Sequence, residues 1–179
     1  MSKVEDAKKR TLAMIPVTLP DGSDVLLSPG KHNRLQRDIV TEFLPRFGNG
    51  ARLLYLGDTD EKTLYLDEAS LSELGLKLEK HDKLPDIIAF DADRSWLFLI
   101  EAVTSHGPMT PERQAELERD LKHCNVGRVY VSAFPNFREY KRHADQIAWE
   151  TEVWLADAPG HLLHYNGDRF LGPHISNSK

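Results

Sequence analysis

The stretch KLPDIIAFDADRSWLFLIEAV, residues 83–103, constrains this chain more than any other. Two apolar runs rich in β-branched and aromatic residues flank a short polar segment, which is the pattern of two strands joined by a tight turn. Strands apolar on both faces belong inside a sheet that helices cover on two sides. With residues 92–95 as the loop, Asp91 faces Trp96, and antiparallel pairing then sets every other partner. Phe90 meets Leu97, Ile88 meets Leu99, and Asp86 lands opposite Glu101. Opposed Cβ atoms in such a pair lie about 5 Å apart, close enough for two carboxylates to share a divalent cation. A loop one residue longer or shorter would leave only a diagonal approach.

Glu101 is the odd residue in Trp96–Val103, a segment otherwise suited to burial. An isolated buried carboxylate is costly or stays protonated, and a second carboxylate beside it deepens the conflict. A bound cation resolves it. The competing reading puts Asp86 at a strand entrance and pairs Glu101 with an arginine or lysine. Spacing alone leaves both readings open.

The flanking sequence supplies the covering layers. IPVTLPDGSDVLLS reads as two short strands around a Pro-Asp-Gly turn, and SPGKHNRLQRDIVTEFLPRFGNG as a helix with Leu35, Ile39 and Phe43 on one face. ARLLYLGD and TDEKTLYLD read as strands, and DEASLSELG as a helix closed by Gly75. TPERQAELERDLKHC is an amphipathic helix capped by Thr110, with Glu112, Glu116 and Glu118 toward solvent and Cys124 near its end. GRVYVSAF is a strand and NFREYKRHADQIAWE a helix. TEVWLAD, GHLLHYN and DRFLGP are strands, with Asn166-Gly167 as a hairpin turn. This order predicts an α/β fold, a mixed central sheet flanked by helices on both sides. Residues 12–173 form one domain, and residues 1–11 and 174–179 are expected to be flexible ends.

The chain has 179 residues, enough for a real core, and no apolar run long enough to span a bilayer. Its single cysteine cannot form an internal disulfide, which fits a cytoplasmic setting and a structural thiol. One cysteine also argues against a structural zinc, and His161, His164 and His174 lack paired ligand spacing. The net charge of −5 leaves a nucleic-acid partner open, because what matters there is a local basic patch.

The order of helix, Asp-bearing strand, Glu-bearing strand, helix and strand resembles the core of the PD-(D/E)XK nuclease superfamily, with Pro85-Asp86 as PD and Glu101 as the acidic partner. The longer strings HNRLQ (32–36), LLYLGDTDEK (53–62), KLPD (83–86), WLFLIEAVTSHGP (96–108), AWETEVWLAD (148–157) and HYNGDRFLGP (164–173) resemble the catalytic domain of the BsuBI/PstI restriction endonucleases. The similarity covers roughly residues 12–173. Family members carry a further helical N-terminal region, so the resemblance is to their C-terminal catalytic part. It implies the restriction-endonuclease fold and a type II enzyme that cuts duplex DNA with Mg²⁺, or Mn²⁺ in its place. The target implied is a palindrome, CTGCAG for the founding members, which suits a homodimer. In this reading Asp86, Glu101 and the carbonyl of Ala102 hold the metal.

The sequence departs from the superfamily pattern at its third position, where Val103 stands for the usual lysine. Lys83, Lys62 and His106 are the candidate replacements. Glu42, on the face of Leu35 and Ile39, and Asp58, at a strand tip, are possible metal ligands or supports. Glu42 is otherwise a solvated residue, and Asp58 and Asp60 are otherwise turn residues capping backbone. Asn33, Arg34, Gln36 and Arg37 at a helix start, and Arg138, Lys141 and Arg142 on a later helix, are candidate DNA contacts. The bland alternatives are capping and a solvated face. Two other functions stay open: a DNA-binding or assembly module without chemistry, and a metal-dependent nuclease acting on other nucleic acids.

Overall fold

The computed structural model describes residues 2–60, 62–76 and 83–167. Its centre is a seven-stranded mixed sheet of β3 (Arg52–Asp58), β4 (Lys62–Leu66), β5 (Ile87–Asp91), β6 (Trp96–Ala102), β7 (Gly127–Phe134), β8 (Glu152–Leu155) and β9 (Leu162–His164). The spatial order is β4-β3-β5-β6-β7-β8-β9, with β6, β7 and β8 parallel and every other neighbour antiparallel. The central hairpin has the register expected of it: Asp91 pairs with Trp96, Phe90 with Leu97, Ile88 with Leu99 and Ile87 with Ile100.

One face of the sheet is covered by the hairpin β1 (Ile15–Thr18) and β2 (Asp24–Leu27) together with a long helical segment. That segment starts as α2 (Lys31–Asp38), passes through a π turn (Ile39–Phe43) and ends as α3 (Leu44–Phe47). Leu35, Ile39 and Phe43 are all buried, as their spacing predicts. The π turn goes beyond the expectation of one plain helix. Pro45 has no N–H, and its ring crowds the carbonyl a turn back; the extra residue of a π turn, where Leu44 N–H donates to the Ile39 carbonyl, widens the backbone just before it.

The other face packs on α4 (Glu68–Glu73), α5 (Pro111–Asp120) and α6 (Phe137–His143). α4 ends as foreseen on Gly75 at φ +86°, with Gly75 N–H bonded to the Ser72 carbonyl and Leu76 N–H to that of Leu71. Cys124 lies beyond the end of α5, not within it; it is buried in the apolar cluster under that helix.

Within residues 1–11, expected to be a flexible end, α1 (Lys3–Ala13) begins at a reciprocal capping box of Ser2 and Glu5 and buries none of its residues. The DRFLGP strand, the far side of the Asn166-Gly167 turn and the 174–179 tail lie outside the described residues. Among the described residues no helix is long and apolar enough to cross a membrane.

Candidate active site

Alternation along β6 sends Leu97 and Leu99 to the face under α5, and Glu101 follows them by parity. Asp86 precedes β5 by one residue and shares that face with Ile88. Its carbonyl accepts from Gly57 N–H at 3.0 Å, which ties it to β3, and its Oδ2 accepts from Ala102 N–H at 2.8 Å, which ties it to the Glu-bearing strand. The two carboxylates therefore meet at the end of the central hairpin away from its turn. Burial first, then the Asp86 charge, pushes the Glu101 carboxyl up to about 7 against the opposing pull of Arg113.

Two side chains that the sequence reading did not single out close on this pair. His32, from the first turn of α2, places Nε2 3.3 Å from Asp86 Oδ1, while its Nδ1 is 3.0 Å from Thr104 Oγ1. Burial pulls the imidazole pKa down, but the Asp86 hydrogen bond and the charges of Asp86, Glu101 and Asp58 outweigh it, and the net shift is upward. Arg113, from α5, donates Nε–H to Glu101 Oε1 at 2.7 Å. Glu101 thus has the arginine partner of the competing reading and the facing carboxylate of the other. A signal for Arg113 did exist: a cation in the first turn of a helix opposes the helix dipole, so it needs a distant anion. His32 lay inside HNRLQ, with nothing local to mark it.

The remaining candidates divide. Lys62 and His106 are exposed and line the cleft that Asp86 and His32 also line. Lys83 is exposed outside that lining, and its contribution is a carbonyl that accepts from Arg113 Nη2 at 2.8 Å. Val103 is buried against Phe134, Ile147, Val153 and Leu155. Asp58 reaches the cleft wall, but its carboxylate accepts from Ser28 N–H, Ser28 Oγ, Asn33 Nδ2 and Asp60 N–H at 2.7–3.0 Å, the work of a turn residue. Glu42 does not line the cleft; it pairs with Arg46 one turn along at 2.5 Å.

Asn33 and Gln36 are corrected. Both are fully buried, so neither meets a phosphate. Asn33 Nδ2 donates to the Ser28 carbonyl, to Asp58 and to Thr59, and Gln36 Nε2 donates to Asn33 Oδ1 and the Gly57 carbonyl. Neither caps the helix, whose N-cap is Gly30. Arg34 stays exposed and Arg37 pairs with Asp38. On α6, Arg138, Lys141 and Arg142 form an open basic surface around exposed Phe137, with Arg142 3.8 Å from Glu139.

The donor set of Asp86 and Glu101 consists of hard carboxylate oxygens, and burial, then the neighbouring Asp86 charge, disfavours the ionised Glu101 carboxylate. That fits a small divalent cation, which binds through one or two carboxylates and completes its shell with water and phosphate oxygens. No cluster of three or more His, Cys, Asp or Glu among the described residues is arranged to hold a metal unaided.

The chain is 47% identical over 168 residues to the type II restriction enzyme BsuBI of Bacillus subtilis, covering 94% of this chain and 53% of that protein. It is 30% identical over 171 residues to the type II restriction enzyme AplI of Arthrospira platensis, covering 91% and 52%. The chain therefore spans about half the length of the curated relatives it matches. The solved structure of SdaI restriction endonuclease superposes with a TM-score of 0.84 at 43% identity, over 97% of this chain and 55% of that one. The family described as the BsuBI/PstI restriction endonuclease domain matches residues 15–168, and the chain belongs to it.

Proposed function

We infer that this domain hydrolyses phosphodiester bonds in duplex DNA with a divalent cation, Mg²⁺ or Mn²⁺ in its place, as the catalytic part of a type II restriction endonuclease. The observation that carries the reading is the facing pair of Asp86 and Glu101, of which Asp86 lines the cleft. Asp86, Glu101 and the Ala102 carbonyl would hold the cation. Bound there, it would act as a Lewis acid toward the phosphate and acidify the attacking water. His32 orients the Asp86 carboxylate from one side, and Arg113 holds Glu101 from the other. Lys62 and His106 stand where the phosphate would enter, and Lys83 flanks them. Asp58 braces the cleft wall. Arg34, Arg37, Arg138, Lys141 and Arg142 would meet the DNA backbone. A palindromic target such as CTGCAG and a homodimer that cuts one strand with each subunit follow from the family resemblance, as does a cytoplasmic setting.

One observation favours a second reading. The Arg113 guanidinium already pairs with Glu101, and a module that binds DNA without cutting it would need no more than such a structural ion pair. Digestion of supercoiled plasmid in Mg²⁺ or Mn²⁺, with Asp86→Ala and Glu101→Ala alongside, separates the two. Cleavage lost in both variants supports hydrolysis at this site. DNA binding indifferent to the cation, with no cleavage in either metal, supports the module instead.

A further inference from the structure

Two facts about the site do not follow from its being a pair of carboxylates. The first is that the chain leaving β6 carries no cation into it, since Val103, the next residue, is 1% exposed and enclosed by apolar neighbours. The second is that Arg113 stands where local preference argues against it. It is the third residue of α5, behind N-cap Thr110, where a glutamate or glutamine would close a capping box and where the positive end of the helix dipole repels a cation. A guanidinium there needs tertiary partners, and it has them at the site. Nε donates to Glu101 Oε1 at 2.7 Å and Nη2 to the Lys83 carbonyl at 2.8 Å, while Nη1 lies 3.4 Å from Glu116 Oε2. The loop that delivers α5 is fixed as well: buried Met109 donates its N–H to Ser132 Oγ at 2.8 Å and accepts from Ala148 N–H at 2.9 Å.

We propose that Arg113 is the cation of this site, a positioning residue that supplies from α5 the positive charge that a lysine at position 103 would supply from just beyond β6. The assignment rests on the hydrolysis reading above. The planar fork of Arg113 grips Glu101 with one arm and the chain three residues ahead of Asp86 with another, so it sets the two carboxylates relative to each other. Its charge offsets theirs where a phosphate, itself an anion, must approach. His32 Nε2 lies 3.3 Å from Asp86 Oδ1, but an imidazole carries charge only when protonated, whereas a guanidinium always does; among the described residues Lys62, Lys83 and His106 make no ion pair with either carboxylate.

The test compares Arg113→Ala, Arg113→Gln and Arg113→Lys with the parent chain in single-turnover plasmid cleavage at saturating Mg²⁺. Calorimetric titration of Mn²⁺ into the metal-free proteins runs beside it. Loss of the charge should slow cleavage about 100-fold in the Ala and Gln variants, and Lys should recover about tenfold of that. Mn²⁺ should bind the Gln variant no more weakly than the parent, because a repelling charge has gone. Cleavage by Arg113→Gln within about threefold of the parent overturns the assignment, since charge loss should cost far more. So does a Lys variant no faster than Gln, loss of Mn²⁺ binding, or a Gln variant that cannot fold. A parent that cuts without needing Asp86 and Glu101, or does not cut, overturns the hydrolysis reading and this assignment together. A parent that needs both carboxylates but ignores Arg113 overturns this assignment alone.

Discussion

The central hairpin has a buried carboxylate at each end, and the two are solved in opposite ways. At the turn, the Asp91 side chain is 1% exposed, and its partners are complete. It accepts from Asn49 Nδ2 and from the backbone N–H groups of Asp93 and Arg94, and it forms an ion pair with Arg94. Burial works against its ionisation, yet Arg94 and Asn49 hold its carboxyl below the usual range. At the open end, Glu101 is 13% exposed, faces another carboxylate, and is pushed up to about 7 by burial and by Asp86 despite Arg113. Burial alone does not mark a site. What marks it is a charge left in excess after every protein partner has been counted, because that excess waits for a ligand.

The largest effect should separate the two ends by chemistry. Under the proposed hydrolysis, Asp86→Asn and Glu101→Gln should lower the rate of plasmid cleavage in Mg²⁺ by about 1000-fold or more, each removing a proposed metal ligand. Asp91→Asn, if it folds, should stay within about threefold of the parent, since it touches no group of the site. Equal losses at the two ends, measured in single turnover, would break the comparison.

Stability should run the other way. Asp91→Asn strands the Arg94 guanidinium and should lower Tm by several degrees. Glu101→Gln removes the excess charge while keeping an acceptor for Arg113, so in the absence of metal its Tm at pH 8 should equal or exceed that of the parent. Thermal melts of both variants in a chelating buffer decide this. A Glu101→Gln protein less stable than Asp91→Asn would mean that the Arg113 pair, and no missing cation, balances the site.

Why one end was easier to read than the other is a matter of distance along the chain. The hairpin register needs only a turn and two alternating runs, all within about twenty residues, so Asp86 opposite Glu101 was visible before any coordinates. The helices that cover the sheet and the Thr110 cap were legible for the same local reason, whereas α1 was not. The partners were not. His32 reaches Asp86 and Thr104 from a distant helix, and Arg113 reaches Glu101 across a loop; no spacing rule encodes either contact. Asn33 and Gln36 misled because polar residues at a helix start suggest a surface. Here they are spent inside, where Asp58 and the Gly57 carbonyl need donors. The π turn before Pro45 shows the same limit, since the proline announces a disturbance and only packing decides its form.

A smaller effect follows from the titration of the open end. Because the folded state holds the Glu101 proton more tightly than the ordinary value of 4.5, rising pH takes more protons from the unfolded chain first and stability falls. The loss develops between 4.5 and about 7 and is complete above that, at most about 3 kcal/mol in size. His32 adds a slope of the same sign: its raised pKa stabilises the fold fully below 6.5, and that gain is lost as pH climbs through the folded value. Urea unfolding of metal-free protein at pH 5 and pH 8 should therefore show a fall in the parent that is reduced in Glu101→Gln. Asp91 contributes with the opposite sign. Its lowered pKa gives stability that is complete above its unfolded value and fades only in stronger acid. A parent whose stability is flat from pH 5 to pH 8, with Asp91→Asn also flat, would remove the electrostatic distinction between the ends.

The smallest effect concerns cations and not carboxylates. β6 and β7 are parallel, so α6, which follows β7 after two residues, starts at the same end of the sheet as Glu101. Its Arg138, Lys141 and Arg142 face an open surface, whereas the turn end keeps Arg94 on Asp91 and over the Trp96 ring, and Arg52 over Phe90. Cations already committed inside the protein release few counterions when DNA arrives; uncommitted ones release most of theirs. Lys141→Ala should therefore weaken duplex binding a few-fold and lower the slope of log Kd against log salt by about 1, for any sequence tested. Arg52→Ala at the other end should leave that slope unchanged. Fluorescence anisotropy across a salt series reads both values, and an equal change in slope at the two ends would mean that DNA does not distinguish the end of the sheet where the carboxylates meet.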